Sequence, residues 1–390
     1  MTLYVHAYSL INALGRGKEA VCDALNGWHS RGESPLDKEH WTLVDGRTSP
    51  VGRVSDPLPE VAQPRHDSRN NQLLLAALAD IEAEVSAAIS RVGPDRVALV
   101  LGTSTSGIGE AEVAVAAQLR GEAMSPRFDY AQQELGSPST FLAEHLGILG
   151  PAMTISTACS SSARAFITAR RLLESGQADV ALVGGADSLC GLTLNGFDSL
   201  ESLSERRCRP FAAGRDGINI GEGAALFLVS RDPAPLALLG DGESSDAWHI
   251  SAPHPEGEGA ERAMRMALAR AGLEAERIDY VNAHGTATRL NDEMESLALS
   301  RLFPHGVAVS STKVLTGHTL GAAGATEAAL CCLLLERALP LPPQGEEQDP
   351  SLAPLTLVRE AGAARIIMSN SFAFGGNNVS LIFIFGKEAP

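Results

Sequence analysis

Residues 151–187, PAMTISTACSSSARAFITARRLLESGQADVALVGGAD, decide the fold. Residues 153–157 read as a strand, and Thr157-Ala-Cys-Ser-Ser-Ser as a sharp turn. Residues 163–175 follow as a helix, with Gly176 where a C-terminal cap belongs. Residues 180–185, VALVGG, form the next buried strand. An apolar strand, a helix and a second apolar strand make the unit of an α/β protein with parallel strands buried on both faces. Cys159 sits where the first strand meets the helix.

Working outward, residues 97–102 (VALVLG) form another buried strand, ending in the small-residue loop 103–109. A similar unit fills 278–310: strand 278–283, loop 284–291, helix 292–303 and strand 307–311. A Gly-rich loop, 316–325, opens a helix at 327–337, and a hairpin closes the chain (365–370, a turn through Phe374-Gly-Gly, and 379–385). Near the start, helices are predicted around 19–26 and over 72–91, with loops and short elements across 30–70. Two halves, 1–231 and 232–390, meet near residue 231.

The 390 residues have room for a large core, and the net charge of −16 argues against nucleic acid, whose phosphates need a basic surface. Residues 1–10 lack the basic and apolar regions of a secretory signal, and no apolar run reaches the roughly 20 residues of a spanning helix. The expectation is a cytoplasmic protein with no membrane span. None of the six cysteines forms a C-x-x-C pair, so no metal site is expected, and five of them read as small buried hydrophobes.

Cys159 is the sixth. A thiolate is the nucleophilic form, and the unpaired N–H groups and dipole at a helix N-terminus favour it. The same N–H groups can hold an oxyanion. His284, in Asn282-Ala-His-Gly-Thr-Ala-Thr, and His318, in Ser310-Ser-Thr-Lys-Val-Leu-Thr-Gly-His, lie at strand ends, where α/β sheets bind ligands. The histidines at 6, 29, 40, 66, 145, 254 and 305 read as structural.

Five stretches, in this order along the chain, resemble the β-ketoacyl-acyl-carrier-protein synthases of the KAS I and KAS II type. They are Thr157-Ala-Cys-Ser-Ser-Ser; Arg209-Pro-Phe to Arg215-Asp-Gly with Gly221-Glu-Gly; Ala283-His-Gly-Thr-Ala-Thr with Asp292; Ser311-Thr-Lys-Val-Leu-Thr-Gly-His with Gly321-Ala-Ala-Gly-Ala; and Asn370-Ser-Phe-Ala-Phe-Gly-Gly. The resemblance covers nearly the whole chain. It implies the thiolase fold, two similar α/β halves in an α-β-α-β-α stack of five layers. It also implies an acyltransferase that loads an acyl group on Cys159 and condenses it with decarboxylating malonyl-acyl carrier protein.

On that resemblance, His284 and His318 stabilise the enolate, with Lys313 near both. Glu327 is the carboxylate on Lys313, and Asp292 and Glu295 support the His284 loop. Thr286 and Thr288 bind the pantetheine arm, Phe374 is gate and oxyanion donor, and Ile108 borders the acyl pocket. Arg65, Arg69, Arg206 and Arg207 would dock the acidic carrier. No cofactor is implied beyond the carrier's phosphopantetheine. The assembly would be a homodimer, or a heterodimer with a paralogous ketosynthase.

The sequence departs from the family at Ala373, where glycine is usual before the gating phenylalanine, and this suits a specialised pathway such as an aryl polyene as well as fatty acid synthesis. The alternative is a non-catalytic subunit that shapes chain length. Such homologues typically lack the cysteine, and this chain retains it. A thiolase would need a second cysteine near the C-terminus, and no cysteine follows Cys332.

Overall fold

The computed structural model describes residues 1–360 and 362–386. Its N-terminal part runs β1 (Leu3–Asn12), β2 (Gly15–Arg16), α1 (Gly17–Arg31), β3 (His40–Thr42), β4 (Thr48–Pro50), α2 (Arg69–Ala79), α3 (Glu82–Val92), β5 (Val97–Gly102), α4 (Ile108–Leu119), α5 (Ser137–Leu146), β6 (Ala152–Ile155), α6 (Ser161–Glu174), β7 (Val180–Asp187), α7 (Gly191–Ser199) and β8 (Gly223–Ser230). After five residues come β9 (Leu236–Ser245), α8 (Glu258–Ala271), β10 (Tyr280–Asn282), α9 (Arg289–Leu302), β11 (Ala308–Ser310), α10 (Lys313–Thr316), α11 (Ala323–Glu336), β12 (Thr356–Leu357), β13 (Ile366–Phe372) and β14 (Asn377–Phe385).

One topology occurs twice. The first part orders its strands β6-β5-β7-β8-β1 and the second β11-β10-β13-β14-β9, with β12 added at the edge. In each, the strand next to last, β8 or β14, is antiparallel to both neighbours. A short antiparallel ladder, Leu3 to Leu238 through Val5 to Leu236, joins the two into one continuous sheet.

Helices α6 and α11 pack on each other and touch strands of both halves, so they form the middle layer. Helices α2, α3 and α5 cover one outer face, and α8 and α9 the other. The core follows this layering. One cluster surrounds α6 and α11 and draws on both halves, through Phe166, Phe227, Leu330 and Phe383. A second lies under α2, α3 and α5, a third under α8 and α9. This is the five-layered α-β-α-β-α stack of the thiolase fold. Residues of α11 are buried all round, as a helix between two sheets must be. Gly324 lets α11 approach α6: a Cβ there would stand 2.6 Å from the Cβ of Ala163.

Several predicted elements shift. The helix expected over 72–91 is two helices, broken where Ile81 leaves helical geometry, next to Asp80, which pairs with Arg16. Helix α11 begins at Ala323, inside the segment read as loop, because small residues there serve close packing.

Candidate active site

Cys159 lies between β6 and α6. The chain turns into the helix through Ala158, at φ +51°, a left-handed conformation that costs a non-glycine residue about 1–2 kcal/mol. Ser161 Oγ steadies the turn by accepting from Thr157 N–H at 2.9 Å. The thiol is buried, and His318 Nε2 stands 2.9 Å from its Sγ.

His318 follows the single turn α10 and Gly317. Its backbone is clamped from both sides: its N–H donates to Asn219 O at 2.7 Å, and its C=O accepts from Gly221 N–H at 2.9 Å. His284 ends β10. Glu295 accepts from the backbone N–H of His284 and of Gly285, both at 2.7 Å. One turn earlier on α9, Asp292 accepts from Ala287 N–H at 3.2 Å and from Phe211 N–H at 2.7 Å. The imidazoles of His284 and His318 face each other edge to face, 5.4 Å between centroids.

Lys313 Nζ lies 3.5 Å from His284 Nδ1 and is ion-paired with Glu327, both side chains being almost fully buried. With an ammonium donating to Nδ1, the His284 proton belongs on Nε2. His318 is less constrained, since its Nδ1 has no partner among the described residues.

Burial holds the pKa of both imidazoles well below the usual histidine range, and the Lys313 charge adds to this, so both are neutral. Burial also pushes the Cys159 thiol up to about 12, against the Lys313 charge and the backbone N–H groups of Phe374 and Cys159 itself. Burial therefore opposes the resting thiolate that the helix N-terminus favours. Burial raises Glu295 to about 7 and Asp292 to about 6, against the N–H groups they accept from.

Cys159, His284 and His318 share the floor of a cavity of about 480 Å3, which Thr286, Thr288 and Phe374 also line. The hydroxyls of Thr286 and Thr288 are 2.9 Å apart. The Phe374 ring lies 5.7 Å from that of Phe197. Ile108, at the start of α4, is half-buried and is not among the residues lining this cavity.

The four arginines read as a docking patch are engaged internally. Arg69 grips buried Glu222 at 2.6 and 2.7 Å, and Arg65 pairs with Glu144. Arg206 pairs with Asp216 at 2.9 Å and Arg207 with Asp37 at 2.6 Å.

Sequence reading missed Asp187, the buried end of β7. Its carboxylate accepts from Thr103 Oγ1, Ser104 N–H, Thr105 N–H and Thr105 Oγ1 at 2.7–2.8 Å, and from Ala322 N–H at 2.9 Å. It thereby ties the 103–109 loop to the Gly-rich loop before α11. An acid closing a wholly apolar strand was the available signal. Phe197 and Arg289, also cavity-lining, carried none.

Cys159, His284 and His318 bring three potential metal donors within 4.8 Å of one another. The Lys313 ammonium beside His284 opposes a cation there and suits a developing anion.

Comparison with known proteins finds a family whose two profiles together cover most of the chain. The family profile "Beta-ketoacyl synthase, N-terminal domain" matches residues 52–234, and "Beta-ketoacyl synthase, C-terminal domain" matches 237–345. Nodulation protein E of Rhizobium meliloti is 39% identical over 61% of this chain and 63% of that protein. 3-Oxoacyl-[acyl-carrier-protein] synthase 2 of Rhizobium meliloti (strain 1021) is 41% identical over 60% of each. The chain thus spans less than two thirds of these curated relatives. A solved structure, "Ketosynthase (ApeO) in Complex with its Chain Length Factor (ApeC) from Xenorhabdus doucetiae", is similar over 99% of this chain and 98% of that one, at 49% identity and a TM-score of 0.95.

Proposed function

The chain belongs to the beta-ketoacyl synthase family, and from that premise we propose that it is a β-ketoacyl-acyl-carrier-protein synthase. The observation that carries this reading is the Cys159 Sγ–His318 Nε2 contact of 2.9 Å, with His284 and Lys313 beside it on one cavity floor.

In the first half-reaction Cys159 attacks an acyl thioester. His318 Nε2 takes the thiol proton and passes it to the departing carrier thiol, leaving the acyl group on sulfur. This answers the raised thiol pKa, because the proton leaves only as the new bond forms. The N–H groups of Cys159 and Phe374 hold the oxyanion.

Malonyl thioester then enters. Its C–C bond to the carboxylate breaks, carbon dioxide leaves, and the enolate oxygen accepts from His284 Nε2–H and His318 Nε2–H. The unpartnered Nδ1 of His318 leaves its tautomer free to change between the two halves. The enolate carbon attacks the Cys159 thioester, the new C–C bond forms and the thiolate leaves. Lys313, with Glu327, fixes the His284 tautomer, while Glu295 and Asp292 position its loop. Thr286 and Thr288 bind the pantetheine, and Phe374 gates the cavity against Phe197. Ile108, outside the lining of this cavity, is assigned to the acyl pocket on the family resemblance.

The likeness to a ketosynthase solved with a chain length factor supports pairing with a paralogous subunit. Within such a pair, the assembled Cys159 site supports assigning this chain the catalytic half. The repeated topology supports halves at 1–231 and 232–390, derived by duplication. Among the described residues no helix is long and apolar enough to cross a membrane. The six cysteines are free and buried, which suits a reducing compartment such as the cytoplasm.

The test follows the mass of the carrier after incubation with malonyl-carrier and a panel of acyl-carriers. β-Ketoacyl-carrier is expected from the wild type and not from Cys159→Ala. No product with any donor, or equal product from the variant, sinks the reading.

A further inference from the structure

We propose that Asp187 and Ser162 are positioning residues for the reaction: they hold the segment that carries His318 against the part of the chain that carries Cys159, and so set the contact between imidazole and thiol. The inference rests on the synthase reading above.

The need for such a device lies in the His318 ring. Lys313 orients His284 through Nδ1, whereas Nδ1 of His318 has no partner among the described residues. An imidazole that moves protons is ordinarily aimed by the bond on its second nitrogen. The aim of His318 at Cys159 therefore comes from the segment it rides on. Asn219 and Gly221 clamp that segment at His318 itself. Two residues on, Leu320 stands at φ +50°, a conformation that persists only where its surroundings enforce it.

Asp187 and Ser162 enforce it. Helix α11 has no side-chain cap of its own, and the first N–H groups of a helix lack partners within it. Ala322 N–H, shared with Thr319 O at 3.0 Å, donates to Asp187 Oδ2 at 2.9 Å. Ala325 N–H donates to Ser162 Oγ at 2.9 Å. Ser162 lies in the first turn of α6, just past Cys159, so both bonds run from the His318 segment to the Cys159 part of the chain.

The other oxygen of Asp187, Oδ1, accepts from Thr103 Oγ1, Thr105 Oγ1, Ser104 N–H and Thr105 N–H, all near Cys159 and none in the His318 segment. Both hydroxyls are themselves acceptors, from Ser106 N–H and Ser188 N–H at 3.1 Å, so their protons point at the carboxylate. Burial pushes the Asp187 pKa up, and these donors oppose that.

The isosteric Asp187→Asn separates position from charge. Its amide oxygen can take over the four bonds on Oδ1, which leaves its NH2 facing Ala322 N–H, donor against donor. Only the link to the His318 segment is cut. The negative charge near Cys159 is removed at the same time, and that alone would ease thiolate formation, since after burial the anion is among the groups that raise the thiol pKa. Position and charge thus predict opposite signs.

The experiment uses the full chain with any subunit that accompanies it. It follows, by mass, alkylation of Cys159 by iodoacetamide and its acylation by an acyl-carrier. Asp187→Asn is expected to slow both roughly tenfold or more, the cost of a misplaced reacting group, with KM for the acyl-carrier within about twofold of wild type. Ser162→Ala, which removes the second bond and no charge, should slow both in the same way. In a His318→Ala background the positioning has nothing to act on, so adding Asp187→Asn should leave alkylation within about twofold or make it faster.

Unchanged or faster alkylation in Asp187→Asn alone, an unchanged rate in Ser162→Ala, or an equal fold loss with and without His318 overturns the proposal. If Asp187→Asn does not fold, Ser162→Ala decides it by the same measurements. The expected alkylation pattern with no condensation by the wild type on any acyl donor would instead refute the synthase reading, and leave the placement of His318 against Cys159 standing.

Discussion

At the scale of single residues, the site is an arrangement of two neutral imidazoles beside one buried ion pair, Lys313–Glu327. Two imidazoles held well below the ordinary histidine range stay uncharged where exposed histidines would take a proton. Only the neutral form leaves His284 with its proton on Nε2 and Nδ1 free to accept from Lys313. Malonyl decarboxylation should therefore run level as pH falls through about 6.5, the ordinary histidine value, and decline only well below it. A pH profile of carbon dioxide release checks this; an acid limb centred on the ordinary value would contradict it. The residues proposed to act stood out in the sequence, Cys159 as a cysteine at a helix start and His284 and His318 as histidines beside glycine at strand ends. The resting state of Cys159 was not, because a helix dipole can be read from a sequence and the burial that opposes it cannot. Asp187 was overlooked for a related reason, its five hydrogen bonds reaching across to residues near 105 and 322.

At the scale of elements, the middle pair α6 and α11 decides where the chemistry lies. Their N-terminal ends converge, bringing Cys159 and the loop of His318 together from opposite halves. Gly324 permits that approach. Gly324→Ala should gain up to about 1 kcal/mol of helix propensity. It loses more, about 1–3 kcal/mol, to overpacking against Ala163. Net destabilisation in urea unfolding is the expected result; a net gain would show that the helices can slide apart freely. Apolar strands such as 97–102 were plain in the sequence, because nothing polar interrupts them. The break at Ile81, beside the Asp80–Arg16 pair, and the early start of α11, against Ala163, involve distant partners that no local pattern announces.

For the whole molecule, the two topological halves share one core and are not separable bodies. Beyond the common cluster around α6 and α11, Arg170 of α6 pairs with Asp241 of β9 at 2.6 Å, both nearly fully buried. Replacing it in Arg170→Met leaves Asp241 only Arg270, at 2.5 Å, and should cost about 3 kcal/mol, the low end for breaking a buried pair. The loss should appear as one transition moved to lower denaturant, because the pair bridges both halves. Two resolved transitions would mean that the halves unfold separately.

The left-handed alanine before Cys159 carries a consequence for descent. Ala158, Ala287 and Leu320 all hold positive φ beside the site, a standing strain that the rest of the fold must absorb. Turnover at the site is the duty that would justify it. A second gene copy, relieved of that duty, could relax each position to glycine and shed the cysteine while the layered scaffold stayed intact. Drift from such an ancestor toward a catalytically silent sister that still fits beside it is therefore energetically downhill.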